Sequence, residues 1–376
     1  MKKRSIAALG GGVAALLLLA GFGFWIGSLP PGTVAAPRPV PASETVAVLE
    51  ALAPRNERPV IAIIGINDAT ETTDYLMPAG ILRRADIADV QLLATREGPV
   101  DLFPALRVEP DATIAAFDAA HPQGADYVIV PAMTRDDDPA VMAWLREQAN
   151  KGSMIIGICA GAKVVAAAGL LDGRKGTTHW FSVDDLQAMS SVSYVPDRRF
   201  VADRGVATTT GITASMPMML TLIEAIGGRA KAEQVAVDLG VGQWDASHDS
   251  SAFRLTRPFA TTIMGNVLAF WQREEIDLAL TPDFDAVSLA LVADAWSRTY
   301  RSRALTSAPE AAPIVDRDGI RILPDRVAAA GSAITPPGLT KPAAALDATL
   351  AEIATRYGKP TADVVAMQLE YPAEAL

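Results

Sequence analysis

Three short apolar runs, "PVIAIIGI" (59–66), "DYVIVPA" (126–132) and "SMIIGICA" (153–160), are rich in Ile and Val and carry no polar alternation. A strand with one wet face alternates apolar and polar residues. Runs without alternation are predicted to be central strands of a parallel sheet covered on both faces. Between them, "DYLMPAGILRRA" and "PAVMAWLREQANKG" read as helices; in the second the apolar residues fall at helical spacing and a glycine stands where its C-cap belongs. Residues 193–228 read as two short strands and an amphipathic helix closed by Gly227–Gly228. Strand and helix alternate, so the expected fold class is α/β with a doubly wound parallel sheet. In such sheets ligands bind beyond the carboxyl ends of the strands.

A longer apolar stretch, Ile6 to Leu29, is uncharged and follows Lys2, Lys3 and Arg4. About 20 such residues cross a bilayer, and a basic cluster stays on the cytoplasmic side. The sequence therefore predicts a single-pass transmembrane helix, with the N-terminus cytoplasmic and the globular part outside the cytoplasm (periplasmic in a bacterium). A cleaved leader is the alternative. "PPGTVAAPRPVPASE" (30–44) reads as semi-rigid linker. The expected organisation is a stub and anchor over 1–29, a Pro-rich linker over 30–57, an α/β domain over 58–230 and a C-terminal segment over 231–376. Within that segment, 276–325 repeats the order of parts of 60–111: strand, acidic loop, helix, arginines, second strand. An incomplete second copy of the fold is expected there. It holds no cysteine, and its counterpart of Asp74 falls near Ser288.

Half of the residues are apolar, which predicts a folded core, and the formal charge of −10 speaks against a nucleic-acid partner. The one cysteine excludes an internal disulfide. It is Cys159 in "G-I-C-A-G" (157–161), between a strand and the helix "AGAKVVAAAG". Glycines two residues either side give room for a sharp turn that aims the sulfur into the crevice. The helix N-terminus is expected to lower the thiol pKa. The Ala160 and Gly161 N–H groups are candidate oxyanion donors. The cysteine and histidines have no metal-ligand spacing and no phosphate-binding glycine loop is present, so neither metal nor cofactor is expected.

The stretch "MIIGICAGAKVVAAAGLLDGRKGTTHW" resembles the signature of the ThiJ/PfpI (DJ-one/PfpI) family, within the class I glutamine-amidotransferase-like superfamily. The likeness covers about residues 58–230. It implies a flavodoxin-like three-layer sandwich, a reactive elbow cysteine, a carboxyl group hydrogen-bonded to it, and a histidine, here His179, near the pocket with Thr178. "D-Y-L-M-P" (74–78) supplies the carboxyl as Asp74, with Glu71 as fallback. Raised by a neighbouring thiolate, an aspartic acid donates a hydrogen bond to sulfur, although Asp74 also suits a helix N-cap. Two departures disfavour peptidase activity. Ala160 stands where peptidase-like members have histidine, and Ala132–Met133 stands where many members have a glycine pair serving the oxyanion hole. Backbone N–H of Ala132 or Met133 remains a candidate donor. The expected function is a cysteine-dependent hydrolase, hydratase or lyase acting on a small electrophile, with Cys159, Asp74 and His179 catalytic. A redox or ligand sensor using the same cysteine is the alternative, and a regulator-like domain a third. A small-molecule substrate or oxidant, the membrane and a second copy of the chain in a homodimer are the expected partners.

Overall fold

A computed structural model describes residues 20–189, 191–328 and 341–372. A seven-stranded sheet runs, edge to edge, through Phe200–Asp203, Val206–Thr209, Met154–Gly157, Tyr127–Val130, Val60–Gly65, Asp89–Ala94 and Ala112–Thr113. All pairings are parallel except the edge hairpin Phe200–Asp203 with Val206–Thr209. The three apolar runs thus lie side by side at its centre.

Both faces are covered, which explains the missing alternation. Ile61 and Ile63 point into one core with the helices Thr72–Ala85 and Ser215–Gly227. Ala62 and Ile64 point into a second core with Pro139–Asn150 and Gly161–Ala167. Helix, sheet and helix form the expected three-layer, flavodoxin-like arrangement.

Two expectations are corrected. Among the described residues no helix is long and apolar enough to cross a membrane, which speaks against a single-pass membrane protein. Residues 20–28 are helical, and the first part of the expected anchor, 6–19, lies outside the described residues. The linker is also shorter than 30–57. After Pro41, helix Ala42–Ala51 buries Val48, and Leu52 beyond it is fully buried and accepts a hydrogen bond from the Tyr127 hydroxyl at 2.7 Å. The proline pattern stops at Pro41, where this apolar face begins.

The C-terminal segment packs on the domain. Strands Glu274–Ala279 and Ser302–Ala308 pair in parallel, with helix Ala286–Ser297 crossing between them. That helix lies against Thr72–Ala85. Its first turns approach so closely that a Cβ on Gly80 would sit 2.6 Å from Val287 Cγ2. Helix Pro342–Tyr357 packs on Ala286–Ser297, and Lys359–Gln368 packs on Arg257–Leu268.

Candidate functional site

Strand Met154–Gly157 ends where the chain must reverse into helix Gly161–Ala167. Cys159 makes that turn with φ = 56°, a left-handed conformation that a side-chain-bearing residue adopts only when its surroundings hold it. The restraints are visible. Cys159 N–H donates to Thr209 Oγ1 at 3.0 Å, and its carbonyl accepts from Thr178 Oγ1 at 3.1 Å. Both glycines of the motif are steric requirements. A Cβ on Gly161 would lie 2.0 Å from the Val130 carbonyl oxygen, and one on Gly157 would lie 3.0 Å from Ala162 backbone atoms.

Cys159 is only 5 % exposed, yet it lines a cavity of about 450 Å³ at the carboxyl end of the sheet. The wall is mostly apolar, with Met133, Trp180 and Phe259 beside the polar Glu71, His179 and Arg298. Arg298 and Phe259 come from the C-terminal segment.

Helix Thr72–Ala85 presents the carboxyl groups. Glu71, not Asp74, is its N-cap: Glu71 Oε2 accepts from Asp74 N–H at 2.6 Å and from the Thr73 hydroxyl at 2.8 Å. Asp74 is fully buried one turn in. Its Oδ2 accepts from Ala132 N–H at 3.0 Å, while Oδ1 has no hydrogen-bond partner among the described residues. Burial, then the nearby Glu71 charge, pushes the Asp74 carboxyl well above the usual range. In its protonated form the buried Oδ1 is a hydrogen-bond donor without a partner among the described residues.

The thiol corrects an expectation. Burial, followed by the charges of Asp74, Glu71 and Glu370, pushes the Cys159 pKa well above its ordinary value. The Ala160 N–H pulls the other way and is outweighed. Helix Gly161–Ala167 has only seven residues, and its N-terminal field does not offset three acidic groups in a dry site. Burial thus biases both Cys159 and Asp74 toward their neutral forms.

His179 lines the cavity but both ring nitrogens are occupied. Nδ1 accepts from Phe181 N–H at 3.2 Å, which leaves Nε2 to donate to the Gln368 carbonyl at 3.0 Å. Burial pushes its pKa down to about 4, so the ring is neutral at physiological pH. This geometry suits a brace between the domain and the C-terminal segment.

The expected oxyanion donors divide. Gly161 N–H is used on the Ile158 carbonyl at 2.7 Å, and Ala132 N–H is used on Asp74. Ala160 and Met133 line the cavity; Ala160 N–H acts on the thiol sulfur. Thr178 braces the elbow from behind. Sequence reasoning missed Arg298 and Gln368, which reach the site from more than 180 residues away. For Arg298 the sequence held a signal: it follows helix Ala286–Ser297 much as Arg84 closes helix Thr72–Ala85.

Residues 60–225 match the DJ-1/PfpI family. The Parkinson disease protein 7 homolog of Danio rerio is 31 % identical over 185 residues, spanning 47 % of this chain and 95 % of that protein. The HTH-type transcriptional regulator CdhR of Pseudomonas aeruginosa is 38 % identical over 105 residues, 28 % of this chain and 31 % of that one. Isonitrile hydratase of Pseudomonas putida is 35 % identical over 103 residues, 27 % of this chain and 44 % of that one. With the α/β sandwich and the elbow cysteine already in place, the similarity along nearly the full Danio rerio protein decides the matter: this chain belongs to the DJ-1/PfpI family.

Proposed function

We propose that this chain is a cysteine-dependent enzyme that adds water to a small, mostly apolar electrophile, with an isonitrile as the best-fitting class. The observation that carries the reading is Cys159 at the wall of a 450 Å³ cavity, with the fully buried Asp74, its Oδ1 unpartnered among the described residues, acting on the thiol from behind that wall. Addition to an isonitrile carbon needs both a sulfur and a proton, and this pair holds both. Similarity to isonitrile hydratase supports the same class.

In the first step the sulfur bonds to the terminal carbon while Asp74 delivers a proton to that carbon and regains one from the thiol. The product is a thioimidate on Cys159. Water then adds to the same carbon, the C–S bond breaks, nitrogen takes one proton and sulfur recovers the other. The net change is isonitrile plus water to an N-substituted formamide.

The sensor alternative is less well supported, because oxidation to a sulfenic acid proceeds through the thiolate that this site disfavours. For a regulator role, the helices Pro342–Tyr357 and Lys359–Gln368 would have to present a surface to DNA. Both instead bury apolar residues, among them Leu346, Leu350 and Val365, in the core.

The test is formamide production from n-butyl isonitrile by the full chain. Turnover is expected for the natural sequence, and Cys159→Ala is expected to lose at least about 10³-fold. Equal activity in both proteins would overturn the reading.

A further inference from the structure

Residues 60–113 and 274–327 follow one path without a gap, residue n of the first matching residue n + 214 of the second. Strand Val60–Gly65 matches Glu274–Ala279, and the positive-φ residues Ala69 and Asp86 match Asp283 and Tyr300. Asp111 closes a loop on Leu92 through two hydrogen bonds of 2.7 and 2.8 Å; Asp325 does the same on Thr306 at 2.7 and 2.9 Å.

The two copies meet across a local twofold axis. In the strand pair Arg107–Glu109 with Arg321–Leu323, Val108 faces its own counterpart Ile322. Arg107 faces Leu323 and Glu109 faces Arg321, which is the reciprocal pattern of an isologous contact. The ion pairs obey the same symmetry. Arg298 donates to the N-cap Glu71 at 2.8 Å, and its counterpart Arg84 donates to the N-cap Asp285 at 3.0 Å. All four side chains are largely buried. Only one half carries the chemistry: Asp74 on the first helix corresponds to Ser288 on the second.

We propose that residues 274–327 serve this chain as its own partner subunit, and that Arg298 is the positioning residue this inbuilt copy supplies to the cysteine pocket. Arg298 fixes Glu71, Glu71 caps the turn that carries Asp74, and the charge of Asp74 acts on Cys159. Its cation also offsets the Glu71 charge close to the sulfur. The other ionisable groups around the thiol are Asp74 on the same helix, His179 on the wall, Glu370 at the C-terminal end, and Asp294, which holds Arg298 from its far side at 2.8 Å.

The symmetry supplies the control. Arg298→Met and Arg84→Met each remove an equivalent ion pair, but only the first borders the cysteine. Iodoacetamide labelling of the folded full chain at pH 9 reads the outcome and needs no substrate, so it is independent of the isonitrile reading. Arg298→Met is expected to label about tenfold more slowly than the natural protein, as a rise of about one pKa unit requires. Arg84→Met is expected to stay within about twofold. The double variant Glu71→Gln/Arg298→Met also removes the Glu71 charge that Arg298 offsets beside the sulfur, and is expected to regain most of the lost rate. Equal changes in the two single variants, no change in Arg298→Met, or no recovery in the double variant would overturn the proposal.

Discussion

Asp74→Asn is expected to lower isonitrile turnover by about 10²- to 10⁴-fold, the usual contribution of a positioned general acid, while making Cys159 easier to alkylate. The two effects have opposite signs for one physical reason. Burial raises both pKa values, and the Asp74 charge adds to the rise at Cys159. Asparagine preserves the shape, and its carbonyl oxygen still accepts the Ala132 N–H bond made by Oδ2. It carries no charge against the thiolate, so the thiol pKa falls and labelling at pH 8 speeds up. It also has no proton to deliver, so catalysis falls. Parallel kinetics of turnover and labelling separate these. Losses of equal size in both would show a collapsed pocket instead of a missing acid.

Gly161→Ala is the second large effect, this time on folding. The added Cβ would lie 2.0 Å from the Val130 oxygen and 2.8 Å from the Pro131 carbonyl carbon. Both are backbone atoms at the end of the central strand Tyr127–Val130 and cannot swing aside, so the elbow helix must shift bodily. Overpacking of this kind costs about 1–3 kcal/mol and more where the obstacle is rigid. We expect a loss of at least about 3 kcal/mol. The comparison is Gly265→Ala inside helix Arg257–Leu268, where an added Cβ meets nothing within 4 Å. Alanine there is expected to be neutral or to stabilise by up to about 1 kcal/mol. Denaturant unfolding of both variants measures the contrast. A Gly161→Ala protein as stable as the natural one would refute the close approach of helix and sheet.

Much of this was legible in the residues. Ile and Val runs without alternation marked strands with two dry faces, and the two cores on either side of Ile61–Ile64 are the reason. The glycines around Cys159 marked a turn too tight for side chains, as the Cβ distances bear out. What the residues hid depends on contacts that are far apart along the chain. The thiol's proton affinity follows from burial and from acids on other elements, one of them Glu370, so the local motif suggested the opposite sign. Arg298 meets Glu71 across 227 positions. The occupied nitrogens of His179 depend on the Gln368 carbonyl, which no local pattern places there. The apolar N-terminal stretch was read from its hydropathy and the basic cluster before it, and among the described residues no helix is long and apolar enough to cross a membrane.

A pH titration of iodoacetamide labelling in the folded chain addresses the cysteine most directly, because Cys159 is the one thiol in the sequence and every adduct reports on it. The expected result is a single adduct without unfolding, blocked by a small isonitrile. Its rate should still climb at pH values where a free thiol, with a pKa of about 8.5, has levelled off. A rate already saturated at neutral pH, or a sulfur that reacts only after denaturation, would contradict a neutral thiol facing a substrate cavity.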